Sequence, residues 1–282
     1  MSKTTAEMVK TLRERTGVGM SKCKEALDNS DGNMEEAVAY LRKKGMASAV
    51  KKSGREAKEG LIGSAENEAS IALVELNAET DFVIQNDKFK EFLGILCKEA
   101  LSTKADSVEA LQGQELSDRP GITVEEARAE LVLSLGENLQ IRRVEVIEKQ
   151  AGHSYGLYAH AGGSIVTMVE IGGDTDQSAL AKDIAMHIAA DAPEYLKPEE
   201  VPADVIARER DIAKEQIGTK PENVIDKIME GKLKSFYEQV CLTCQKYVKD
   251  PSTTVGALVE KRGSETSQPL QIVRFLRWQV GA

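Results

Sequence analysis

The sequence predicts an α+β protein, in which a short helical bundle precedes two copies of one sheet-and-helix unit. Apolar residues follow the helical period of about 3.6 through the first 45 residues. Farther along, two segments about 95 residues apart show the same succession of predicted strands, and Thr80 in the first matches Thr175 in the second. Each repeated segment leads into an amphipathic stretch. Antiparallel strands with helices on one face are therefore expected.

Length and composition are those of a globular chain with more than one module. The chain has 282 residues, of which 41% are hydrophobic and 4% aromatic, with a net charge of −9. This acidic balance argues against general affinity for nucleic acid or membrane surfaces. No apolar run approaches the ~18 residues that span a bilayer, and the N-terminus lacks the apolar core of a signal peptide. A cytoplasmic protein is therefore expected.

The first part of the chain predicts a bundle of three short helices. Thr4 or Thr5 is placed to cap the first helix. The third is expected to end at Gly45, because glycine disfavours helix interiors. The predicted helices span residues 4–16, 20–28 and 34–44.

A basic segment follows the third helix. Residues 42–58 hold seven Lys or Arg and one acidic residue. Such a run can contact nucleic acid, or it can be a solvated, partly helical linker that faces an acidic partner. The absence of interleaved aromatic residues for base stacking favours the linker. The predicted domains are a bundle with its linker (1–54), a first core subdomain (55–149) and a second (150–282).

The repeat contains a strand, a tight turn, a second strand, a polar corner and a helix. It matches "EGLIGSAENEASIALVELNAETD" (59–81) with "YGLYAHAGGSIVTMVEIGGDTD" (155–176). The match pairs Gly60 with Gly156, Val74 with Val169 and Glu75 with Glu170, and the two carboxylates are of a kind common at strand ends. Helices are expected over 87–101 and 177–190, and closing strands over 139–149 and 270–281.

A helical insertion interrupts the second copy between residues 198 and 241. Its apolar residues predict two helices, and the short polar turn "GTKPEN" between them makes the helices antiparallel neighbours. The facing apolar residues are Val205, Ile212, Ile217, Val224, Ile228, Leu233 and Phe236. A protruding helical hairpin is expected, with self-association as one use.

The corner after the second strand of the first copy carries an unexpected aromatic residue. Phe82 follows Thr80 and Asp81, whereas Gln177 follows Thr175 and Asp176 in the second copy. Since Gln stands in that place in the alignment, the turn itself does not require Phe. An exposed aromatic side chain at a rigid corner is typical of an interface hot spot. Internal packing of Phe82 is the alternative.

Motifs for covalent chemistry are missing from the sequence. There is no phosphate-binding loop, since Gly231-Lys232 is followed by Leu233, and no zinc-protease, serine-hydrolase or kinase signature. Cys241 and Cys244 have C-x-x-C spacing, but no second ligand pair exists and the segment is predicted as a strand. Neither a metal nor another cofactor is therefore expected.

The three histidines add no catalytic pattern. His187 lies within an amphipathic helix and is predicted to pack internally. His153 and His160 flank a strand, and for them both a partner contact and no contact stay open. Three classes stay open: a protein-interaction factor, a nucleic-acid-binding protein, and an enzyme with an unfamiliar site. The acidic charge weakens the second, and the missing motifs weaken the third.

Several motifs together resemble the elongation factor Ts family over nearly the whole chain. They are "LRERTGVGMSKCKEAL" (12–27), "GNMEEAVAYLRKKG" (32–45), "TDFV" (80–83), "LGENLQIRRVEVI" (135–147), "IAMHIAA" (184–190) and "PSTTVGALV" (251–259). The resemblance implies a ubiquitin-associated-type N-terminal bundle. It also implies guanine-nucleotide exchange on elongation factor Tu, in bacteria given the missing transit peptide, without enzymatic chemistry.

The resemblance also implies roles for individual residues. Thr80, Asp81, Phe82 and Val83 would form the segment that dislodges Mg²⁺ from elongation factor Tu, with Asp81 and Phe82 entering its G domain. Further partner contacts are implied for Leu12, Arg13, Met20 and His160. The oligomeric state stays open, with a homodimer or a complex with two copies of each protein, formed through the helical hairpin, as one alternative.

Overall fold

A computed structural model describes residues 4–174, 176–217 and 222–282. Its helices are α1 (Ala6–Thr16), α2 (Met20–Asn29), α3 (Met34–Lys52), α4 (Asp81–Ile84), α5 (Asp87–Thr103), α6 (Val108–Gln112), α7 (Val124–Leu135), α8 (Ser178–Asp191), α9 (Ala203–Ile217), α10 (Glu222–Val240) and α11 (Val255–Thr266). No helix within this part of the chain is long and apolar enough to cross a membrane.

The strands of the described residues form two three-stranded sheets and two small hairpins. They are β1 (Glu59–Glu66), β2 (Ser70–Ala78), β3 (Glu115–Leu116), β4 (Arg119–Thr123), β5 (Leu139–Glu148), β6 (His153–His160), β7 (Ile165–Gly172), β8 (Lys246–Tyr247), β9 (Asp250–Thr254) and β10 (Gln271–Gln279). The sheet orders are β1-β2-β5 and β10-β7-β6. Helices followed by antiparallel hairpins confirm the predicted α+β class.

The N-terminal helices pack around a small aliphatic core, as predicted. Thr5 is the residue that caps α1, and its side chain accepts a hydrogen bond from the backbone N–H of Met8. The predicted end of the third helix at Gly45 is wrong, because α3 continues to Lys52. A Cβ at position 45 would lie 3.0 Å from the Ala129 carbonyl oxygen of α7. Gly45 therefore permits a close helix crossing, and this packing outweighs glycine's low helix propensity.

Each three-stranded sheet carries one long helix on one face. Side chains of β2, including Val74 and Leu76, share a core with Phe89 and Leu96 of α5. In the second sheet, Val169 and Ile171 of β7 share a core with Ala181, Ile184 and Ile188 of α8. In each sheet the central strand is the second strand of the hairpin, and the strand added next to it comes from the end of that half of the chain.

The duplication extends beyond the segments found in the sequence. The hairpin of β3 and β4 followed by α7 has a counterpart in β8, β9 and α11, and both helices have 12 residues. A capping threonine starts each helix, Thr123 in the first half and Thr254 in the second. The pattern of proline and threonine in "RPGITV" and "DPSTTV" is the sequence signal for this second part of the repeat.

The structural register corrects the predicted match of glycines. Gly156 pairs with Val169, whose counterpart Val74 pairs with Gly63 and not with Gly60. A Cβ on Gly156 would overlap the backbone of Ala181 in α8, and one on Gly63 would meet side chains of α5. The helix therefore crosses its sheet at a glycine in both halves.

Glu75 and Glu170 are buried within their central strands, so the interpretation that they mark strand ends is wrong. Glu75 Oε2 lies 2.6 Å from Arg143 Nε, and Glu170 Oε2 lies 2.6 Å from Arg274 Nε. Each carboxylate thus pairs with an arginine of the third strand of its sheet, which is β5 in the first sheet and β10 in the second. A buried carboxylate requires such a partner, because desolvation of an unpaired charge is costly.

The insertion in the second half is a pair of contacting helices, α9 and α10. Ile212, Leu233 and Phe236 line one groove between them, as predicted. Residues 218–221 of the predicted turn, and the side chains of Ile217 and Val224, lie outside the described residues. At the base, the N–H groups of Glu194 and Tyr195 donate to the Val240 carbonyl oxygen. These bonds tie the departing chain to the returning one.

The chain forms two compact units. The first holds the residues up to Lys149 with Gly162–Ser164 and Gln279–Ala282, and the second holds Gln150–Ala161 and Ile165–Trp278. The N-terminal bundle belongs to the first unit together with the sheet of β1, β2 and β5. The finer division at residues 54 and 149 stays a prediction.

The crossing of α8 over its sheet predicts a large effect of one methyl group. We expect Gly156→Ala to destabilise the protein by about 3 kcal/mol, because the new Cβ meets backbone atoms that cannot move independently. Gly63→Ala is the matched control, with an expected cost of about 1 kcal/mol since its Cβ meets side-chain atoms of Leu93 and Cys97, which can shift without moving the backbone. Urea unfolding measures both, and equal costs would contradict this account.

The buried Glu170 predicts a dependence of stability on pH. Burial raises its pKa, but hydrogen bonds from His153, Arg274 and Tyr155 outweigh burial, so the folded-state pKa lies below the ordinary value. Its stabilising contribution is therefore complete above the unfolded pKa of about 4.3 and is lost as the pH falls through the folded value.

We expect Glu170→Gln to lower the free energy of unfolding by about 1–3 kcal/mol at pH 7. The difference from wild type should shrink as the solution is acidified from pH 5. Urea unfolding at a series of pH values measures it. A difference that stays constant down to the acid limit would rule out this role of the carboxylate.

Candidate functional site

The candidate site is the corner between β2 and α5, where the one-turn helix α4 presents Phe82 to solvent. Phe82 is 83% exposed, whereas the next two residues, Val83 and Ile84, are each only 8% exposed. Val83 and Ile84 belong to the core shared by β2 and α5. The two buried side chains anchor the turn, so the aromatic ring is fixed on the outside.

The residues before α4 are held by carboxylates of the polypeptide itself. Glu137 accepts two hydrogen bonds from Thr80, one from its backbone N–H (3.0 Å) and one from its hydroxyl (2.7 Å). Glu79 accepts a hydrogen bond from the backbone N–H of Asn138 at 2.6 Å and forms an ion pair with Arg55 at 3.4 Å. The corner is therefore tied to the segment that links α7 to β5.

Among the described residues of the second copy, none forms a counterpart of α4, which corrects the comparison made from sequence. Gln177 occupies the N-cap position directly before α8, as Asn86 does before α5. Gln177 is buried, and its side chain bonds with Asp174 and Arg262. The exposed position of Phe82 thus rests on the residues of α4, which lengthen the corner before α5 relative to the corner before α8 in sequence. Thr175, the predicted counterpart of Thr80, lies outside the described residues.

Asp81 stands exposed beside the ring as the first residue of α4. The possibility that Asp81 caps the following helix is not realised, because the Asn86 side chain accepts from the N–H of Lys88 and fills that role. Asp81 is instead exposed next to Phe82, where a cation or N–H group of another molecule can reach its carboxylate.

The other residues implied as partner contacts differ in accessibility. Met20 is 51% exposed at the start of α2, and Arg13 is exposed on α1. Leu12 is fully buried in the bundle core, so its side chain supports that surface from within and is not available for contact. His160 is exposed at the end of β6, with Nδ1 3.2 Å from the Tyr158 hydroxyl.

Several cations of the basic segment are used within the protein. Residues up to Lys52 lie in α3, and Lys44 forms an ion pair with Glu25 at 2.5 Å. Arg42 lies near Glu130, and Lys52 donates to the Gly136 carbonyl oxygen at the end of α7. These bonds favour the partly helical segment over a nucleic-acid contact.

The cysteines form no reactive centre in the described structure. Cys241 precedes a 3-10 turn, Leu242–Cys244, so the predicted strand at the C-x-x-C spacing is wrong. Burial raises the pKa of Cys241 to about 12, and it also raises the pKa of Cys244. Such thiols stay protonated and react slowly at neutral pH.

His187 packs internally, as predicted. It is fully buried in α8, and Nε2 lies 3.0 Å from Gln245 Oε1 while Nδ1 accepts from the N–H of Val248 at 3.3 Å. In the ranges 4–174, 176–217 and 222–282, no three His, Cys, Asp or Glu side chains are grouped to hold a metal ion.

A cavity of about 510 Å³ lies between α1, α3, β4 and α7. Its charged lining residues already have partners, since Arg119 lies 2.7 Å from Glu130 and Arg15 lies 2.6 Å from Glu35. Aliphatic side chains line the rest, including Val18 and Leu41. The hydroxyl of Thr16 in this lining donates to the Leu12 carbonyl oxygen at 2.7 Å, so it is not paired with the Glu130 carboxylate as a nucleophile with its base would be.

The described structure is thus that of an internally duplicated α+β protein whose most distinctive surface is an exposed aromatic on an anchored turn. The elongation factor Ts family model matches residues 79–282. Proteins called elongation factor Ts from Protochlamydia amoebophila, Chlamydia trachomatis (serovar L2) and Chlamydia muridarum are 53%, 43% and 44% identical to the chain, with both chains covered completely in each comparison. The chain belongs to the elongation factor Ts family.

Proposed function

We propose that this protein is the guanine-nucleotide exchange factor of elongation factor Tu, and that Phe82 is the wedge that opens the nucleotide site. The observation that carries the proposal is the 83% exposure of Phe82 between an exposed Asp81 and a buried Val83. A water-exposed aromatic is unfavourable in the free protein. Its burial in a partner therefore contributes binding energy, commonly about 2 kcal/mol or more at a hot spot.

The wedge acts through the metal of the partner. GTP-binding proteins hold GDP through backbone amides, a lysine and a Mg²⁺ ion at the phosphates. Mg²⁺ demands near-octahedral oxygen ligands and tolerates little distortion. Insertion of Phe82 beside the elements that carry those ligands would weaken the metal first and the nucleotide next. The exchange factor needs no catalytic acid, base or bound metal of its own for this step.

Linkage explains how exchange then proceeds. If the factor binds the nucleotide-free partner better than the loaded one, GDP and the factor weaken each other's binding by the same free energy. A coupling of about 3 kcal/mol would lower nucleotide affinity by roughly 150-fold. Excess GTP then refills the site and releases the factor.

Residues far from the wedge would determine how the partner docks. Arg13 and Met20 of the N-terminal bundle would contact a second face of the G domain, and Leu12 would support them from the core. His160 would contact a β-barrel domain. Thr80 and Val83 would hold the wedge, and Asp81 would bond a partner cation or amide. The proposed location is the bacterial cytoplasm.

The wedge predicts that Phe82→Ala abolishes most exchange and leaves the fold intact. We expect release of fluorescent GDP from elongation factor Tu to slow by about ten-fold or more, which corresponds to about 1.4 kcal/mol. The free energy of unfolding should change by less than about 0.5 kcal/mol, because the side chain is exposed. Stopped-flow release at low and high Mg²⁺ measures the rate.

Val50→Ala is the matched control for loss of an exposed apolar side chain, since Val50 is 73% exposed on α3. It should leave the release rate unchanged. A large drop in the melting temperature of Phe82→Ala would show that the ring is part of the core. An absence of acceleration by the wild-type chain would overturn the proposed function.

The helical hairpin predicts a separable role in self-association. Replacement of residues 205–236 by a short turn should keep the release rate within about two-fold, because the bonds of Tyr195 with Val240 and Leu242 close its base independently. If the hairpin pairs two copies, sedimentation should show a fall from dimer to monomer. Loss of exchange in a variant that still folds would contradict this separation.

A further inference from the structure

We propose that Glu137 is a positioning residue that holds the Phe82 wedge at its working angle, an inference that rests on the proposed function. Its carboxylate is the acceptor of both hydrogen bonds from Thr80, the residue directly before α4. The N-cap side chain of α4 makes no capping bond within its own turn. The start of the wedge helix is therefore fixed from outside, by a residue 57 positions away.

The segment that carries Glu137 is itself fixed. Gly136 ends α7 in the left-handed conformation (φ 87°), and its carbonyl oxygen accepts a hydrogen bond of 2.6 Å from Lys52 of α3. Asn138 donates its backbone N–H to Glu79 and its side-chain amide to the Arg55 carbonyl oxygen. Glu79 and Thr80 are therefore each bonded to one of two successive residues of this segment. We call the four residues Glu79, Thr80, Glu137 and Asn138 the corner clamp.

The second half of the chain shows whether the duplicated fold itself needs the residues of the corner clamp. The sequence "GENLQI" of the first half aligns with "SQPLQI" of the second, both between the helix and the closing strand. Gln268 and Pro269 stand in the places of Glu137 and Asn138, and proline has no N–H to donate. The second half completes its fold without these groups. Pro269 therefore cannot supply the backbone bond that Asn138 makes to Glu79, so the duplicated fold does not require this bond of the clamp.

Positioning has a physical benefit for a wedge. A side chain that is ordered before binding loses less conformational entropy when it enters the partner. A Phe82 that could swing on a loose turn would bury its ring without forcing the Mg²⁺ ligands apart. Loss of the clamp should therefore lower the maximal exchange rate more than it lowers the affinity for the partner.

The test is a double-mutant cycle between Glu137 and Phe82, with fluorescent GDP release from elongation factor Tu as the readout. Glu137→Ala should slow maximal release by about five- to ten-fold in the wild-type background. It should have less than a two-fold effect in the Phe82→Ala background, where no wedge remains to be positioned. The concentration of the chain is raised until release by Phe82→Ala is measurable above the intrinsic rate.

Conservative variants separate positioning from charge and from folding. Glu137→Gln should retain most activity, because its amide can accept from the Thr80 N–H and donate to the Thr80 hydroxyl. If Glu137→Ala does not fold, Thr80→Val removes one of the two bonds at nearly constant volume and enters the same cycle, with a smaller loss. Gln268→Ala, at the counterpart in the second half, should leave release unchanged.

The outcomes distinguish the inference from the proposed function. Equal slowing by Glu137→Ala in both backgrounds would overturn positioning of the wedge, while the exchange function would stand. A loss of activity in Glu137→Gln as large as in Glu137→Ala would also overturn it, since charge would then be the cause. If the wild-type chain does not accelerate release, both the function and the inference fail.

Discussion

The candidate site depends on one constraint: a large apolar ring must be kept in water by the structure that surrounds it. A free Phe side chain tends to fold back onto the nearest apolar surface, because burial of its area is favourable. Here that surface is already occupied by Val83 and Ile84, which enter the core from the same turn. With its neighbours buried and Thr80 bonded to Glu137, the ring has no route inward.

The duplication shows which features belong to the fold and which were added to it. Both halves place a glycine where the long helix crosses the sheet, and both bury a glutamate against an arginine of the third strand, β5 or β10. These shared features solve problems of packing and desolvation that any copy must solve. The insertion of α4 in the first half and the α9–α10 hairpin in the second are not shared, and surface additions of this kind are where function is commonly placed.

Much of this structure is predictable from local pattern, because helix and strand periods are local properties. The repeat, the three N-terminal helices and the packed His187 follow from spacing alone. The end of α3 does not, since Gly45 meets Ala129, a contact far away in the sequence. The one-turn helix α4 is too short to show a period. No sequence pattern connects Thr80 with Glu137, so their hydrogen bonds cannot be predicted. The family motif at 135–147 is visible in the sequence, but its contact with the corner is seen only in the structure.

The two carboxylates of the corner clamp, Glu79 and Glu137, would also let the proposed site act without making or breaking covalent bonds. A side chain can displace elements of a partner only if the residues that hold it are more rigid than those elements. Backbone N–H groups bonded to carboxylates form strong, charge-assisted hydrogen bonds, and those at Thr80 and Asn138 are partly shielded from water. The free energy that orders the corner is thus spent when the protein folds. In the proposed mechanism, burial of the ring would then remain available to distort the partner, which would distinguish an exchange factor from a protein that only binds.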